Sequence, residues 1–462
     1  MNTPSQGDHG SAHADTFVQD HLPAGPLQPD LLLGMPSLRF PTRLNCAWEL
    51  LEGGGSLDRA QRTAMLSPHG VRWTYEQLTA VVARIVHVLT EDMGLVPGNR
   101  VLLRGANTPL LAAIWLAVVR AGGVVVATAP TLRAGDLAHV IDKARVTHAL
   151  CESGLRSELE STGRVPRTMF FLGRPGGGAG AEAGLERAMA DKPDWSLPVD
   201  TAATDPCLIA FTSGTAGTPK ATVHSHRDVM AACNSFPRHV LRATDKDRFI
   251  GTPSLADTYG LGGLLLFPLH VGASTVLLDT SSPRQLARAI GEFRATVCFS
   301  GPARYQAICA DTTPYDLASL RECVSSGEAL PIETRRRWKQ RTGNSMIDGL
   351  SSTEMLHIVV SMRGEEAWSH PGALGRPVPG YLTAIVDESG RPVPYGQVGA
   401  LAVKGPTGCR YLDDVRQQDA VRNGWTFTGD ACWADEYGFL YYHSRTDDPI
   451  SDSGLPHGSH AG

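Results

Sequence analysis

The sequence is short of the features that mark several functional classes. Lys and Arg (42) are outnumbered by Asp and Glu (47), giving a formal charge of −5, and no Lys/Arg-rich block occurs. A chain without a basic face is not built to follow phosphodiesters, so nucleic acid is excluded as a partner. The longest apolar run, Leu110–Val119, stops at Arg120 after about half of the ~20 residues a bilayer span needs. The opening residues, MNTPSQGDHGSAHAD, contain no apolar signal core. No membrane span is expected, and the location expected is cytoplasmic. The nine cysteines are scattered singly without a C-x-x-C pair, so neither a disulfide framework nor a zinc site is expected. H-E-x-x-H is also absent, and the close pair His224 and His226 reads as structural. What is present is core material, with 42% hydrophobic against 19% charged residues. At ~150 residues per domain, a chain of 462 residues has room for about three units.

Periodicity organises those units. Thr74-Tyr75-Glu76-Gln77 reads as a capping box, and Leu78, Val81, Val82, Ile85, Val86 and Leu89 follow at helical spacing on one face. A stop at Met93-Gly94 and a turn at Pro97-Gly98 precede a strand at Val101–Leu103, a helix at Pro109–Arg120 and a buried strand at Val124–Ala127. Strands alternating with helices imply an α/β fold with parallel sheets. Gly173–Gly184 is low in complexity and reads as an exposed, flexible loop. Alternation resumes with strands at Cys207–Phe211, Thr275–Leu278 and Thr296–Phe299. From Leu382 the texture becomes β-rich, with strands expected at Leu382–Val386, Ala400–Val403 and Phe439–Tyr442.

The most informative segment is Leu208–Lys220, LIAFTSGTAGTPK, an apolar strand running into hydroxyls, glycines and one lysine. Glycines let backbone wrap closely around phosphate oxygens, hydroxyls and amides donate to them, and Lys220 adds a point charge. The Walker pattern does not fit, because Gly214 and Gly217 are too close and Pro219 precedes the lysine, and the dinucleotide fingerprint is absent. Ser213-Gly214 alone would be an ordinary turn; the full string is a candidate triphosphate loop.

Thr212–Lys220 resembles the phosphate loop of the adenylate-forming superfamily, which comprises acyl-CoA synthetases, peptide-synthetase adenylation domains and luciferases. Ala221 stands where that family usually has glycine, and Ala216 where threonine is common. Further segments resemble the family's motifs in order: Ser325–Pro331 (SSGEALP), Asp348–Glu354 (DGLSSTE), Thr428-Gly429-Asp430 and Ser444–Asp448 (SRTDD). The resemblance implies that Thr212, Ser213, Gly214, Thr215, Gly217 and Thr218 hold the phosphates with Lys220. It implies that Gly327, Glu328, Ala329, Asp348 and Gly349 frame adenine, and that Asp430 and Arg445 fix the ribose. Thr353 would meet the α-phosphate and Glu354 bind Mg²⁺; a carboxylate beside phosphate needs a hard cation between them. Asp447 matches the family's hinge.

Gly251–Gly263, Met355–Ile358 and Gly399–Leu412 are similar to benzoate-CoA and especially 2-aminobenzoate-CoA ligases. This implies an aryl pocket lined by Thr258, Tyr259, Gly260, Ser351 and Ile358. For Ile358 and Met355, core packing is an equal alternative, and His357 reads as a satisfied structural histidine. Ser351 stands where that subfamily usually has glycine and Asp257 where it has an aromatic. If Asp257 faces the ring it would favour amino- or hydroxy-substituted acids; if it faces water it has no such role. The implied fold is the large α/β domain of adenylate-forming enzymes, over residues 15–444 with a β-rich subdomain at about 380–444. Residues 1–14 are expected to form a disordered tail, and 445–462 a hinge remnant and second tail. Family members continue into a small domain whose late lysine serves adenylation. The last lysine here is Lys404 and the chain stops at Gly462, so that domain is expected to be missing and turnover impaired. The implied activity is ATP-dependent activation of an aromatic carboxylic acid as an adenylate and then a coenzyme A thioester, with Mg²⁺, in a homodimer. Loading of a carrier-protein phosphopantetheine, or non-catalytic binding of an adenylate or aryl acid, remain the alternatives.

Overall fold

The computed structural model describes residues 10–53, 57–164, 166–173, 184–212, 218–279 and 282–446. The expected helix behind Thr74 is Tyr75–His87, and its capping box is reciprocal. Gln77 N–H donates to Thr74 Oγ1 (3.2 Å), and Thr74 N–H donates to Gln77 Oε1 (3.0 Å). Leu78, Val82 and Ile85 on its inner stripe are fully buried. They share a core with the helix Pro109–Arg120, which is apolar on every side because it is covered on every side.

Strand β1 (Thr63–Leu66) and its antiparallel edge partner β2 (Arg72–Thr74) precede that first helix. Six strands then follow: β3 (Arg100–Arg104), β4 (Val124–Thr128), β5 (His148–Glu152), β6 (Arg167–Phe171), β7 (Pro206–Phe211) and β8 (Ala221–Ser225). They pair in the order β6-β5-β3-β4-β7-β8, parallel except for the closing β7–β8 hairpin. Runs such as Val124–Val126 are buried on both faces, as parallel strands covered by helices must be. The second sheet uses β9 (Arg248–Gly251), β10 (Ser274–Val276), β11 (Val297–Ser300), β12 (Glu322–Ser325) and β13 (Met346–Ser351). These run parallel in the order β13-β12-β11-β9-β10-β1.

The β-rich portion is not a separate sheet. From β13 the second sheet continues antiparallel through β14 (Ile358–Met362) and β15 (Ala373–Pro377). It ends in β16 (Leu382–Val386), β17 (Gly399–Lys404), β18 (Val421–Arg422), β19 (Trp425–Ala434) and β20 (Leu440–Arg445). Two expected boundaries shift. Residues 10–14, expected in the N-terminal tail, are anchored: Ala12 N–H donates to Asp205 Oδ2 (3.0 Å), and His13 is buried. Arg445, expected in the hinge remnant, ends β20 within the sheet. Among the described residues no helix is long and apolar enough to cross a membrane.

Loops leaving the carboxyl ends of the two sheets meet. Asn107, after β3, donates to Pro253 O (2.8 Å) and accepts from Leu255 N–H (2.9 Å), both beyond β9. The segment around Tyr411 adds itself to β8: Val223 N–H donates to Arg410 O (2.8 Å) and Leu412 N–H to Ala221 O (2.9 Å). Beneath it the Arg410 guanidinium ion-pairs with Asp228, both buried. Burial works against the Asp228 carboxylate, but Arg410 and Arg227 hold its pKa below the usual range. Removing one partner leaves an uncompensated buried charge, so Asp228→Asn and Arg410→Met should each destabilise by about 3–5 kcal/mol. Urea unfolding measures this, and the double variant should lose less than the two singles together.

Candidate active site

The β7–β8 hairpin presents the candidate phosphate loop, whose ends Thr212 and Lys220 are tied to each other. Thr212 N–H donates to Lys220 O (2.9 Å), and Lys220 N–H donates to Thr212 Oγ1 (3.2 Å). Ser213, Gly214, Thr215 and Gly217 lie outside the described residues, as does Asp447. Thr218 is held by its carbonyl, which accepts from Arg416 Nη1 (2.9 Å). The Lys220 ammonium rests over the Tyr411 ring, 4.9 Å from its centre. Tyr411 O–H donates to Glu354 Oε1 (2.5 Å), and Ser352 O–H donates to Glu354 Oε2 (2.7 Å). Burial and then Glu354 push the Tyr411 pKa far up, so the phenol stays a proton donor. Thr353 is fixed through its carbonyl by His224 Nε2 (2.9 Å). Burial lowers the His224 pKa to about 4, which makes the ring a neutral donor at pH 7. Lys220, Tyr411, Glu354 and Thr353 thus form one row drawn from three distant segments.

The Ser325–Pro331 loop follows β12, with Gly327, Glu328 and Ala329 exposed. Its floor is Ser326, whose Oγ donates to Gly349 O (2.7 Å) and lies 2.8 Å from Ser351 Oγ. Asp348, expected to frame adenine, points beneath the loop instead. Its carboxylate pairs with Arg335 (3.4 Å) and accepts from Gly349 N–H (3.0 Å). Asp430 and Arg445 are cross-strand partners on β19 and β20 and form an ion pair at 2.9 Å. Between Asp430 and Thr428, Gly429 has φ +79°, and a Cβ there would lie 2.6 Å from the Arg445 guanidinium. Only glycine lets the guanidinium settle there.

The aryl-pocket candidates gather around Tyr259, which opens the helix Thr258–Leu261. Its hydroxyl reaches Val324 O (3.0 Å) at the end of β12, and its ring lies 5.5 Å from Phe299 and 5.6 Å from His357. Gly260 is a close-approach glycine, because a Cβ would come within 2.0 Å of Ser254 O. Thr258 is buried, and Ile358 covers Gly349, where a Cβ would lie 2.7 Å from Ile358 Cγ2. The His357 ring is buried among Phe236, Tyr259, Phe267 and Phe299, as a structural residue would be. Burial lowers its pKa to about 3, which removes it as an acid or base near neutrality. Asp257 is exposed to solvent, and partial desolvation raises its pKa above the usual carboxylate value.

Sequence reasoning gave no individual role to Tyr411 or Ser326, although both lie in segments that resemble the family, and it did not single out Arg416 or Arg335, which belong to no local pattern. It also expected no cysteine cluster, since its test was spacing. Cys46, Cys207 and His226 are nevertheless brought together in the core, with ligand-type atoms within 4.8 Å of one another. His226 Nδ1 accepts from Cys46 N–H (3.1 Å), so that lone pair is already engaged.

Desolvation outweighs Arg335 at Asp348 and pushes its pKa up to about 6. The folded state therefore favours the protonated acid. The stability this supplies is complete below the unfolded carboxyl pKa and is lost as pH rises through about 6. In urea titrations, Asp348→Asn should gain on the parent between pH 4 and pH 7, by up to about 3 kcal/mol.

Comparison with known proteins fits this geometry. Residues 57–410 match the family model described as AMP-binding enzyme. The benzoate–CoA ligase of Thauera aromatica is 31% identical over 430 residues, covering 91% of this chain and 80% of that protein. The anthranilate–CoA ligase of Pseudomonas aeruginosa is 30% identical over 368 residues, covering 78% and 69% respectively. Among solved structures, the anthranilate CoA ligase AuaEII in complex with anthranoyl-AMP superposes with a TM-score of 0.85 at 27% identity, over 91% of this chain and 82% of that one. The chain belongs to the AMP-binding enzyme family, and its α/β architecture is that of the large domain of adenylate-forming enzymes.

Proposed function

We propose that this chain is an ATP-dependent aryl-CoA ligase. A carboxylate oxygen of an aromatic acid attacks the α-phosphorus of ATP, the bond to pyrophosphate breaks, and an aryl adenylate forms. The thiol of coenzyme A then attacks the acyl carbon, loses its proton and displaces AMP. The observation that carries this reading is the Lys220–Tyr411–Glu354 row, which sets a cation and a carboxylate against one phenol. The tight turn that carries Glu354, closed by Ser352 N–H donating to His357 O (3.2 Å), ends at His357 in the aromatic wall with Tyr259 and Phe299.

The family resemblance gives each group its task, and the geometry is compatible with it. Attack of one anion on another is governed by positioning and charge neutralisation. Lys220 and the hydroxyls of Thr212 and Thr218 hold the departing phosphates, together with Ser213, Thr215 and the amides of Gly214 and Gly217. Thr353 meets the α-phosphate. Glu354 suits Mg²⁺, because it is a hard oxygen donor whose two oxygens are each steadied by an O–H donor. Bound there, the ion supplies positive charge between carboxylate and phosphate. Gly327, Glu328, Ala329 and Gly349 frame adenine, with Asp348 bracing that loop from below, and Asp430 and Arg445 fix the ribose. Thr258, Tyr259, Gly260, Ser351 and Ile358 surround the ring of a benzoate, an aminobenzoate or a hydroxybenzoate.

Pyrophosphate exchange into ATP, dependent on such an acid, tests the first half-reaction. Lys220→Ala should lower it by about 10²–10³-fold. Tyr411→Phe should raise the Mg²⁺ concentration needed for half-maximal exchange. Absence of both exchange and ATP binding with every aromatic acid would overturn the reading. Supplying coenzyme A and a carrier-borne phosphopantetheine separately identifies the acceptor, and this reading expects coenzyme A.

A further inference from the structure

The segment that carries the aryl-pocket helix is held from the opposite sheet. Residues 252–257 lead from β9 to the helix Thr258–Leu261. They start on the second sheet, where Thr252 N–H donates to Phe299 O (3.1 Å) and Thr252 Oγ1 meets Ser300 Oγ (2.7 Å). The next bonds are local: Ala256 N–H donates to Ser254 Oγ (3.1 Å) and Asp257 N–H to Ser254 O (3.1 Å). Bonds of that kind fix the shape of a turn but not its place. Asn107 fixes the place. Its amide donates to Pro253 O (2.8 Å) and its Oδ1 accepts from Leu255 N–H (2.9 Å), so one planar group grips the backbone on both sides of Ser254.

Asn107 can serve as a fixed point because its own segment is tied on both sides. It lies in the short link between β3 and the helix Pro109–Arg120. Ahead of it, Ala106 N–H donates to Glu152 Oε2 (2.9 Å) on β5, and behind it Thr108 Oγ1 caps the helix by accepting from Leu111 N–H (3.2 Å). Asn107 and Leu255 are both buried, where an unmade bond costs most.

The grip reaches the pocket through Gly260. A Cβ there would stand 2.0 Å from Ser254 O and 2.9 Å from the Pro253 carbonyl carbon, so the gripped turn rests directly on the residue after Tyr259. The Tyr259 ring is pinned at its tip, where the hydroxyl donates to Val324 O (3.0 Å), and its base is set by this turn. A ring with a fixed tip and a shifted base tilts, and a tilted wall changes which aromatic ring packs against it.

We propose that Asn107 is a positioning residue for the aromatic acid: through Pro253 and Leu255 it sets the height of Thr258–Gly260 in the aryl pocket. The assignment rests on the ligase reading and adds to it a residue from the other sheet. The nucleotide side hangs on different supports, Lys220 on Thr212, Thr353 on His224 and Glu354 on Tyr411, so acid and ATP binding should respond differently.

Asn107→Asp keeps an oxygen for Leu255 N–H and turns an acceptor against Pro253 O. Titration with 2-aminobenzoate, followed by its own fluorescence, should give a dissociation constant at least tenfold above the parent's, with that for ATP, from calorimetry, within twofold. In chains carrying 3-fluorotyrosine, the Tyr259 and Tyr411 resonances are assigned by their loss in Tyr259→Phe and Tyr411→Phe. In Asn107→Asp the first should shift and the second stay, whereas general loosening moves both. Should Asn107→Asp fail to fold, Asn107→Ala, which adds no charge, decides on the same readouts. Unchanged acid affinity, equal loss of acid and ATP, or an unmoved Tyr259 resonance overturns the assignment and leaves the ligase reading standing. A parent that binds ATP but no aromatic acid overturns the ligase reading, and this assignment with it.

Discussion

The site depends on one buried ion pair. Asp228 caps the helix after β8, and Arg410 reaches it from a segment with no sequence proximity to that helix. The pair holds Arg410–Leu412 against β8 and so sets Tyr411 between the Lys220 ammonium and the Glu354 side chain. Without Tyr411 in place, Lys220 and Glu354 would be long side chains on separate loops, free to sample many rotamers. The charge pair converts them into a fixed row, and fixed charge is what stabilises an anionic transition state at low reorganisation cost. Its own desolvation is the cost of that arrangement.

Burial sets protonation throughout this region. His224 and His357 are driven neutral, one to serve as an N–H donor to Thr353 and the other to fill an aromatic wall. Tyr411 is held protonated for the same reason, and desolvation pushes the Asp348 pKa up to about 6. His224 and Tyr411, the polar groups that orient the row, are therefore uncharged at pH 7. Proton transfer by a side chain has no part in adenylation, which fits a region where titration is suppressed rather than tuned to neutrality.

Local chemistry was legible in the sequence wherever it was contiguous. The Thr74 capping box, the Pro109–Arg120 helix and the Leu382–Val386 strand announce themselves in a few residues. The phosphate loop is readable because its strand, hydroxyls and lysine are adjacent. What the sequence hid was long-range pairing: Tyr411 on Lys220, Arg335 on Asp348, Arg410 on Asp228. Each partner is a common residue, and only the closing of two sheets makes it matter. The Cys46, Cys207 and His226 cluster was missed for the same reason, because spacing rules see only ligands that are close in sequence.

The departures from the family pattern can now be weighed by where they lie. Ala221 follows the lysine in place of glycine, yet its side chain is fully buried with Val223 and Leu412, so β8 takes it as an ordinary strand residue. Ser351 brings a hydroxyl to the aryl pocket, but that hydroxyl meets Ser326 Oγ at 2.8 Å, within the floor of the neighbouring loop. Asp257 differs from both: it precedes the helix Thr258–Leu261 without capping it through its side chain, and it is exposed to solvent. A carboxylate that keeps its hydration has no need of a donor from a ring, so of the two orientations left open by the sequence the structure shows the one without a role in choosing the ring substituent.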